Sequence, residues 1–230
     1  MVMRFTAQDH ERIAAAIAAS EARTSGEIFC VVAGRVSAYR DIRLGWAALA
    51  ALLLPLALIP LGFDPAWLPG VAGAWEAAHM AARDVTIGRA LAAYAVIQAA
   101  IFLVVFLIVS LPGVSRWTTP SSVRRARTRR AAMKQFLAHG LHQTEARTGV
   151  LIFACLADHQ VEVVADKGIH DKVESAVWGD AVAALTRDMR ARRPAEGFIT
   201  AIGLCGEVLA QHFPPRPVNE NELPDRLVVL

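Results

Sequence analysis

Thr144–Gly168 reads TEARTGVLIFACLADHQVEVVADKG. From Gly149 to Ala157 the stretch is continuously apolar, the pattern of a strand buried on both faces. Asp158-His159 interrupts it as a short turn, and a second strand follows. There Val161, Val163 and Ala165 alternate with Gln160, Glu162 and Val164, which leaves one face more exposed. Ser20–Gly34, SEARTSGEIFCVVAG, carries the same Glu-Ala-Arg-Thr, then Gly, then an apolar strand, with Ser25 as the one residue that has no counterpart. The repetition predicts one helix-to-strand unit used twice. Ile28 to Ala33 is also apolar on both faces, so it has to be covered on both. Strands of this kind, flanked by helical segments, predict an α/β fold with helices on both sides of the sheet.

Hydrophobic residues make up 55% of the chain, more than a soluble domain of ordinary composition carries. The excess sits in two runs. Leu44–Phe63 has no charged residue between Arg43 and Asp64, and Ala90–Ser115 has none between Arg89 and Arg116. Each is long enough to cross about 30 Å of hydrocarbon as a helix. Pro55 and Pro60 should bend the first or end it early, and Leu111-Pro112-Gly113 should close the second. Between them, Trp67 and Trp75 suit a membrane–water interface, and the segment carries Asp64, Glu76 and Asp84 against Arg83. Arg35, Arg40 and Arg43 precede the first run, and Arg116, Arg124, Arg125, Arg127, Arg129, Arg130 and Lys134 follow the second. The positive-inside rule therefore places both termini in the cytoplasm and the 64–88 loop outside. The arginines at 124, 125, 127, 129 and 130 are also expected to touch anionic lipid headgroups. No nucleic-acid-binding motif surrounds them, so nucleic acid is not an expected partner. The N-terminus has neither the apolar run nor the cleavage site of a signal peptide. Cys30, Cys155 and Cys205 are scattered in apolar surroundings and read as reduced, buried side chains.

Thr6-x-x-Asp9 is a capping-box-like start for a first helix, which runs through Ala22 with Ile13 and Ile17 as its apolar stripe. A helix is expected from about Ser122 to Thr148, helical segments across His170–Arg192, and a last helix over Phe198–Phe213, set off by Pro194 and Gly197. Pro214–Leu230 reads as an extended tail whose final Leu-Val-Val-Leu docks on the domain.

The order helix, strand, helix, Gly-Val-Leu-Ile-Phe strand, turn and strand ending in Ala-Asp-Lys-Gly-Ile resembles the TPM domain, a family named after a thylakoid lumen protein, a photosystem II repair protein and a nematode receptor modulator. Thr148–Ile169 and Gln211-His212-Phe213-Pro214 carry most of the resemblance, and Ser20–Ala33 carries its N-terminal half. The closer resemblance is to bacterial membrane proteins with a split TPM domain. The resemblance implies an α/β/α sandwich interrupted by a two-helix transmembrane hairpin. Residues 1–43 and 113–213 would be its two halves, 44–112 the hairpin with helices at about 44–63 and 90–112, and 214–230 the tail. It implies a multi-pass protein of the cytoplasmic membrane. The activities it implies are a divalent-metal-dependent phosphatase, proposed for plant members, or an accessory role in membrane complexes. Asp158 and Gly168 match the family's pattern. Arg4-Phe5-Thr6 departs from the usual Asp before the first helix, and Asp158-His159 from the usual Asp-Arg at the strand turn.

The residues themselves offer little chemistry. The sequence has no P-loop, GxGxxG, GxSxG, HExxH or DxDx[TV]. His139, His142 and Glu145 fall at i, i+3 and i+6, and the two histidines would share a helix face able to ligate a metal. Asp158 and His159 form a second candidate metal pair, and Asp158 is the candidate catalytic carboxylate. Asp166 cannot join them, because the strand between spans roughly 25 Å at about 3.3 Å per residue. Thr24 and Thr148 read as helix-terminating residues before strands. A divalent cation is the one cofactor these residues leave open. The sequence thus predicts a membrane-anchored α/β module that serves a membrane-protein partner, with the phosphatase as the alternative.

Overall fold

The computed structural model describes residues 5–58, 80–216 and 221–230. The chain divides into two compact units, Met1–Ala38 with Ser121–Leu230, and Tyr39–Pro120.

The first unit is built on a mixed four-stranded sheet flanked by helices. Its strands are β1 (Glu27–Ala33), β2 (Gly149–Cys155), β3 (Gln160–Ala165) and β4 (Leu227–Val229), in the order β3-β2-β1-β4. β1 runs parallel to β2, with Ile28 opposite Val150 and Ala33 opposite Cys155. β3 returns antiparallel to β2, and β4 lies parallel to β1 with Leu227 opposite Cys30. Every residue of β1 and β2 is buried. The pleat sends alternate side chains to opposite faces, and the core accordingly falls into two clusters. Ile28, Cys30, Val32, Val150, Ile152 and Ala154 pack with α1 (Ala7–Glu21), α7 (Gly179–Arg190) and α8 (Pro194–His212). Phe29, Val31, Leu151, Phe153 and Cys155 pack with Ala132 and Phe136 of α5 (Ser121–Ala138).

Helix α1 starts at the expected box. The Asp9 N–H donates to Thr6 Oγ1 at 3.1 Å, and the Thr6 N–H donates to Asp9 Oδ2 at 2.9 Å. Its Ile13 and Ile17 are fully buried. The three cysteines are free and buried.

Several boundaries differ from the sequence reading. The helix expected through Thr148 ends at Ala138, because Gly140 takes a left-handed φ of 71° and a short 3₁₀ turn, Leu141–Gln143, follows. The repeated Glu-Ala-Arg-Thr units are therefore unlike each other: one closes an α-helix, the other an irregular segment. Helix α8 begins at Pro194 rather than Phe198. Pro194 occupies its first turn, where a missing N–H costs nothing. Gly197 lies inside α8, where a Cβ would come within 2.8 Å of Leu185 Cδ1, so it permits the close contact of α8 with α7 and is not a breaker. The helical region after β3 resolves into α6 (Lys167–His170), a 3₁₀ turn at Ser175–Trp178 and α7. The tail supplies a strand: the Leu230 N–H donates to Val32 O at 2.9 Å, and the Gly34 N–H donates to Leu230 O at 3.1 Å.

The second unit contains α2 (Arg40–Leu58), α3 (Met80–Ser110) and α4 (Pro112–Thr118). Pro55 lies inside α2 without ending it. Pro60, Trp67 and Trp75 fall outside the described residues. The second helix starts at Met80 rather than near residue 90 and breaks at Leu111, which is extended (φ −62°, ψ 136°) as a residue before proline prefers. Among the described residues no single helix is long and apolar enough to cross a membrane. The pair Tyr94–Ser110 and Pro112–Thr118, bent by 96°, meets that length and composition together. Leu52, Leu53, Leu54, Leu56, Leu103, Val104 and Leu107 of this unit are exposed, while the small residues Ala47 and Ala51 are buried. α2 packs on α3, and the amide of Gln98 donates to Ala51 O at 3.4 Å.

Candidate functional site

In open α/β sheets, sites form beyond the carboxyl ends of parallel strands. For the two central strands those ends are Ala33 and Cys155. The backbone just past them is paired: the Leu156 N–H donates to Ala33 O at 2.9 Å and the Ala157 N–H to Gly34 O at 3.1 Å. Asp158 and His159 occupy the turn that follows. Asp158 is buried, and Cys155 Sγ donates to its Oδ2 at 3.4 Å. Burial, the leading cause, pushes the Cys155 thiol up to about 11, so it is no nucleophile at neutral pH. His159 has a φ of 49°, a left-handed conformation that lets the chain reverse into β3.

The same end of the sheet carries a cavity of about 400 Å³. Arg35, Ser37, Arg127, Arg130 and Lys134 line it, with Val36, Ala131 and Phe153 as apolar surface. Arg127 Nη1 donates to Ser37 Oγ at 2.5 Å. Arg127, Arg130 and Lys134 are placed together by their i, i+3, i+7 spacing on α5. Sequence reasoning did not find this group, because Arg35 and Ser37 join it only through the parallel pairing of β1 with β2. The spacing on α5 was the signal available.

A second cleft, of about 750 Å³, runs along β3, the edge strand. Residues 161 to 167 all line it. Consecutive residues of a pleated strand can do so only along its open edge, not on one face. Arg125 and Arg129 of α5 reach this cleft, and Arg125 Nε lies 3.6 Å from Glu162 Oε1. Burial raises the Glu162 pKa while Arg125 and Arg129 oppose it. Three buried polar atoms without a protein partner point to the cleft's lining: His142 Nδ1, Asp166 Oδ2 and Trp178 Nε1. Asp166 Oδ1 accepts the Lys167 N–H at 2.7 Å and caps α6.

The arginines that form one run in the sequence thus divide between two places. The candidate metal residues divide as well. His139 packs against Phe29 with the rings tilted and their centroids 4.6 Å apart. His142 lies in the 3₁₀ turn beyond Gly140, so the two do not share a helix face as their spacing predicts. Asp158 and His159 stand at the opposite end of β3 from Asp166, in keeping with the distance argument. Among the described residues, no group of three or more His, Cys, Asp or Glu is placed to hold a metal ion.

The repeated threonines act at the amino ends of the strands. Thr24 Oγ1 donates to Phe213 O at 2.6 Å, tying the end of α8 to the start of β1. Thr148 Oγ1 donates to Ser25 O at 2.9 Å across the β1–β2 pair. Gly168 meets a steric demand there, since a Cβ would lie 2.7 Å from the carbonyl oxygens of Ala146 and Arg147.

Residues 117–208 match the family model of the TPM domain, which carries "phosphatase" in its label. No curated protein matches the chain. The fold is similar to that in the NMR structure of the BA42 protein from the psychrophilic bacterium Bizionia argentinensis. The TM-score is 0.57 at 17% identity, over 100% of this chain and 99% of that one.

Proposed function

We propose that this is an integral membrane protein that presents a TPM-like α/β unit to the cytoplasm as a non-catalytic interaction or assembly module for a membrane complex. The observation that carries the anchoring is the inverted distribution of side chains in Tyr39–Pro120. Large aliphatic residues point outward around α2 and α3, Trp117 is 89% exposed, and the buried positions include Ala47 and Ala51. In water such a surface would aggregate. In lipid, large side chains face the acyl chains and small ones let helices approach. On this reading α2 and α3 are a transmembrane hairpin inserted into one α/β/α sandwich. Arginines at both ends of the insertion keep both termini in the cytoplasm. Asp158, buried and accepting from Cys155, supports a structural part for the family-matching carboxylate.

Native membranes washed with alkaline carbonate test the anchor: the protein should remain in the pellet, and its release would overturn the reading. Purification in mild detergent tests the module. A membrane protein should co-purify in fixed ratio; isolation of the chain alone, with turnover of an aryl phosphate, would overturn it.

The label of the matched family and the position of Asp158 at the carboxyl end of β2 favour a second reading, a divalent-metal-dependent phosphatase. It requires metal-stimulated turnover of an aryl phosphate that is lost in Asp158→Ala.

A further inference from the structure

We propose that the cavity beyond the carboxyl end of β1 binds a phosphate-type oxyanion through Arg35, Arg127, Arg130 and Lys134, with Ser37 as a hydroxyl partner. Four cationic side chains converge on one concavity whose lining includes no acidic side chain. Arg35, Arg130 and Lys134 are exposed and make no ion pair among the described residues. On α5, Arg130 and Lys134 stand at i, i+4, a spacing at which like charges destabilise a helix. The other side of the same helix shows the contrast, because there Arg125 has Glu162 beside it. Like charges held together in one concavity are relieved by a bound anion.

The chemistry of the lining narrows the anion. Guanidinium groups match tetrahedral oxyanions by paired N–H donation, and an ammonium adds a point charge. At about 400 Å³ the cavity falls within the roughly 300–1,000 Å³ of small-molecule sites, and it exceeds what a bare phosphate fills. Phe153, Ala131 and Val36 line the remainder, which suits an organic group carried by the phosphate. The same chemistry is offered by a phospholipid headgroup and by a free phosphorylated compound. The proposal does not depend on the anchoring reading: a chain that binds phosphate yet leaves the membrane in carbonate keeps the site and loses the anchor.

The test is calorimetric titration of the full-length protein, in uncharged detergent, with inorganic phosphate at ionic strength held constant with chloride. Saturable phosphate binding is expected, with Arg130→Gln and Lys134→Gln each weakening it about tenfold, the loss of one charged hydrogen bond. Arg129→Gln, on the other side of α5, should change it less than about twofold. Melting curves identify any variant that fails to fold, and these exposed positions leave the core untouched. Repeating the titration in nanodiscs of phosphatidylglycerol and of phosphatidylcholine assigns the source. Binding lost only in phosphatidylglycerol identifies a lipid headgroup; equal binding in both identifies a free phosphorylated ligand. Phosphate binding no tighter than chloride would overturn the proposal. So would an Arg129→Gln effect as large as that of Arg130→Gln, which would mean diffuse charge and not a site.

Discussion

Glu21, at the end of α1, is a buried carboxyl whose Oε1 accepts the Ile28 N–H at 2.7 Å. Burial is the chief cause that raises its pKa from the ordinary 4.5 to about 9, and neighbouring Glu27 and Asp225 add to it. It is therefore protonated in the folded protein at neutral pH, while the unfolded chain ionises it. The folded state holds the proton more tightly, so stability is fully present below pH 4.5 and is progressively lost as pH rises toward about 9. Glu21→Gln keeps the acceptor for Ile28 and cannot ionise. The melting temperature of the wild type should fall between pH 5 and pH 9 more steeply than that of Glu21→Gln, with the variant the more stable at the alkaline end. Parallel melting profiles would rule this out. Nothing in the sequence around Glu21 marks it as unlike Glu145, its counterpart in the repeat. Glu145 pairs on the surface with Arg216 at 2.8 Å and is 82% exposed. The difference is set by what packs over each position, and spacing does not reveal that.

At the scale of elements, β1, β2 and β3 were legible because an apolar run between breakers has few other solutions. α1 was legible because its capping box is local. The early end of α5 was not, because a glycine late in a helical pattern is tolerated as often as it terminates, and Gly140 terminates here by turning left-handed. The basic cavity was half legible: three of its cations share one face of α5, but Arg35 and Ser37 reach it from the segment after β1. β4 was legible only as a docking tail, since a three-residue strand behind a proline-rich segment carries no period. Its place in the sheet has a consequence. β4 pairs with β1 alone and covers an edge that would otherwise be open to other chains. Leu227 is buried in the core beside Cys30, whereas Val229 is 56% exposed. Leu227→Ala should cost roughly 2–4 kcal/mol in denaturant unfolding, and Val229→Ala less than about 0.5 kcal/mol. Equal effects would mean that the strand contributes only its backbone.

For the whole molecule the question is whether the segments on either side of Tyr39–Pro120 depend on each other to fold. β1 is the hub of the answer. It has β2 on one side and β4 on the other, and it sends Ile28, Cys30 and Val32 into one core cluster and Phe29, Val31 and Ala33 into the other. Residues 113–230 alone would keep the β2–β3 hairpin, leave β4 without its partner, and expose the apolar faces that α1 and β1 cover. The interlock extends to the strand ends, where Thr148 Oγ1 donates to Ser25 O and Thr24 Oγ1 to Phe213 O. A hairpin insertion is compatible with such mutual dependence, because an even number of crossings returns the chain to the same side of a bilayer. We expect the protein with Leu44–Pro112 replaced by a flexible linker to be soluble and to melt cooperatively, and residues 113–230 alone to aggregate or to lack fixed tertiary structure. Near-ultraviolet circular dichroism and thermal melts of the two proteins decide between these outcomes. If residues 113–230 alone melt as cooperatively and at as high a temperature as the linked protein, then β1 adds nothing and the two segments fold independently.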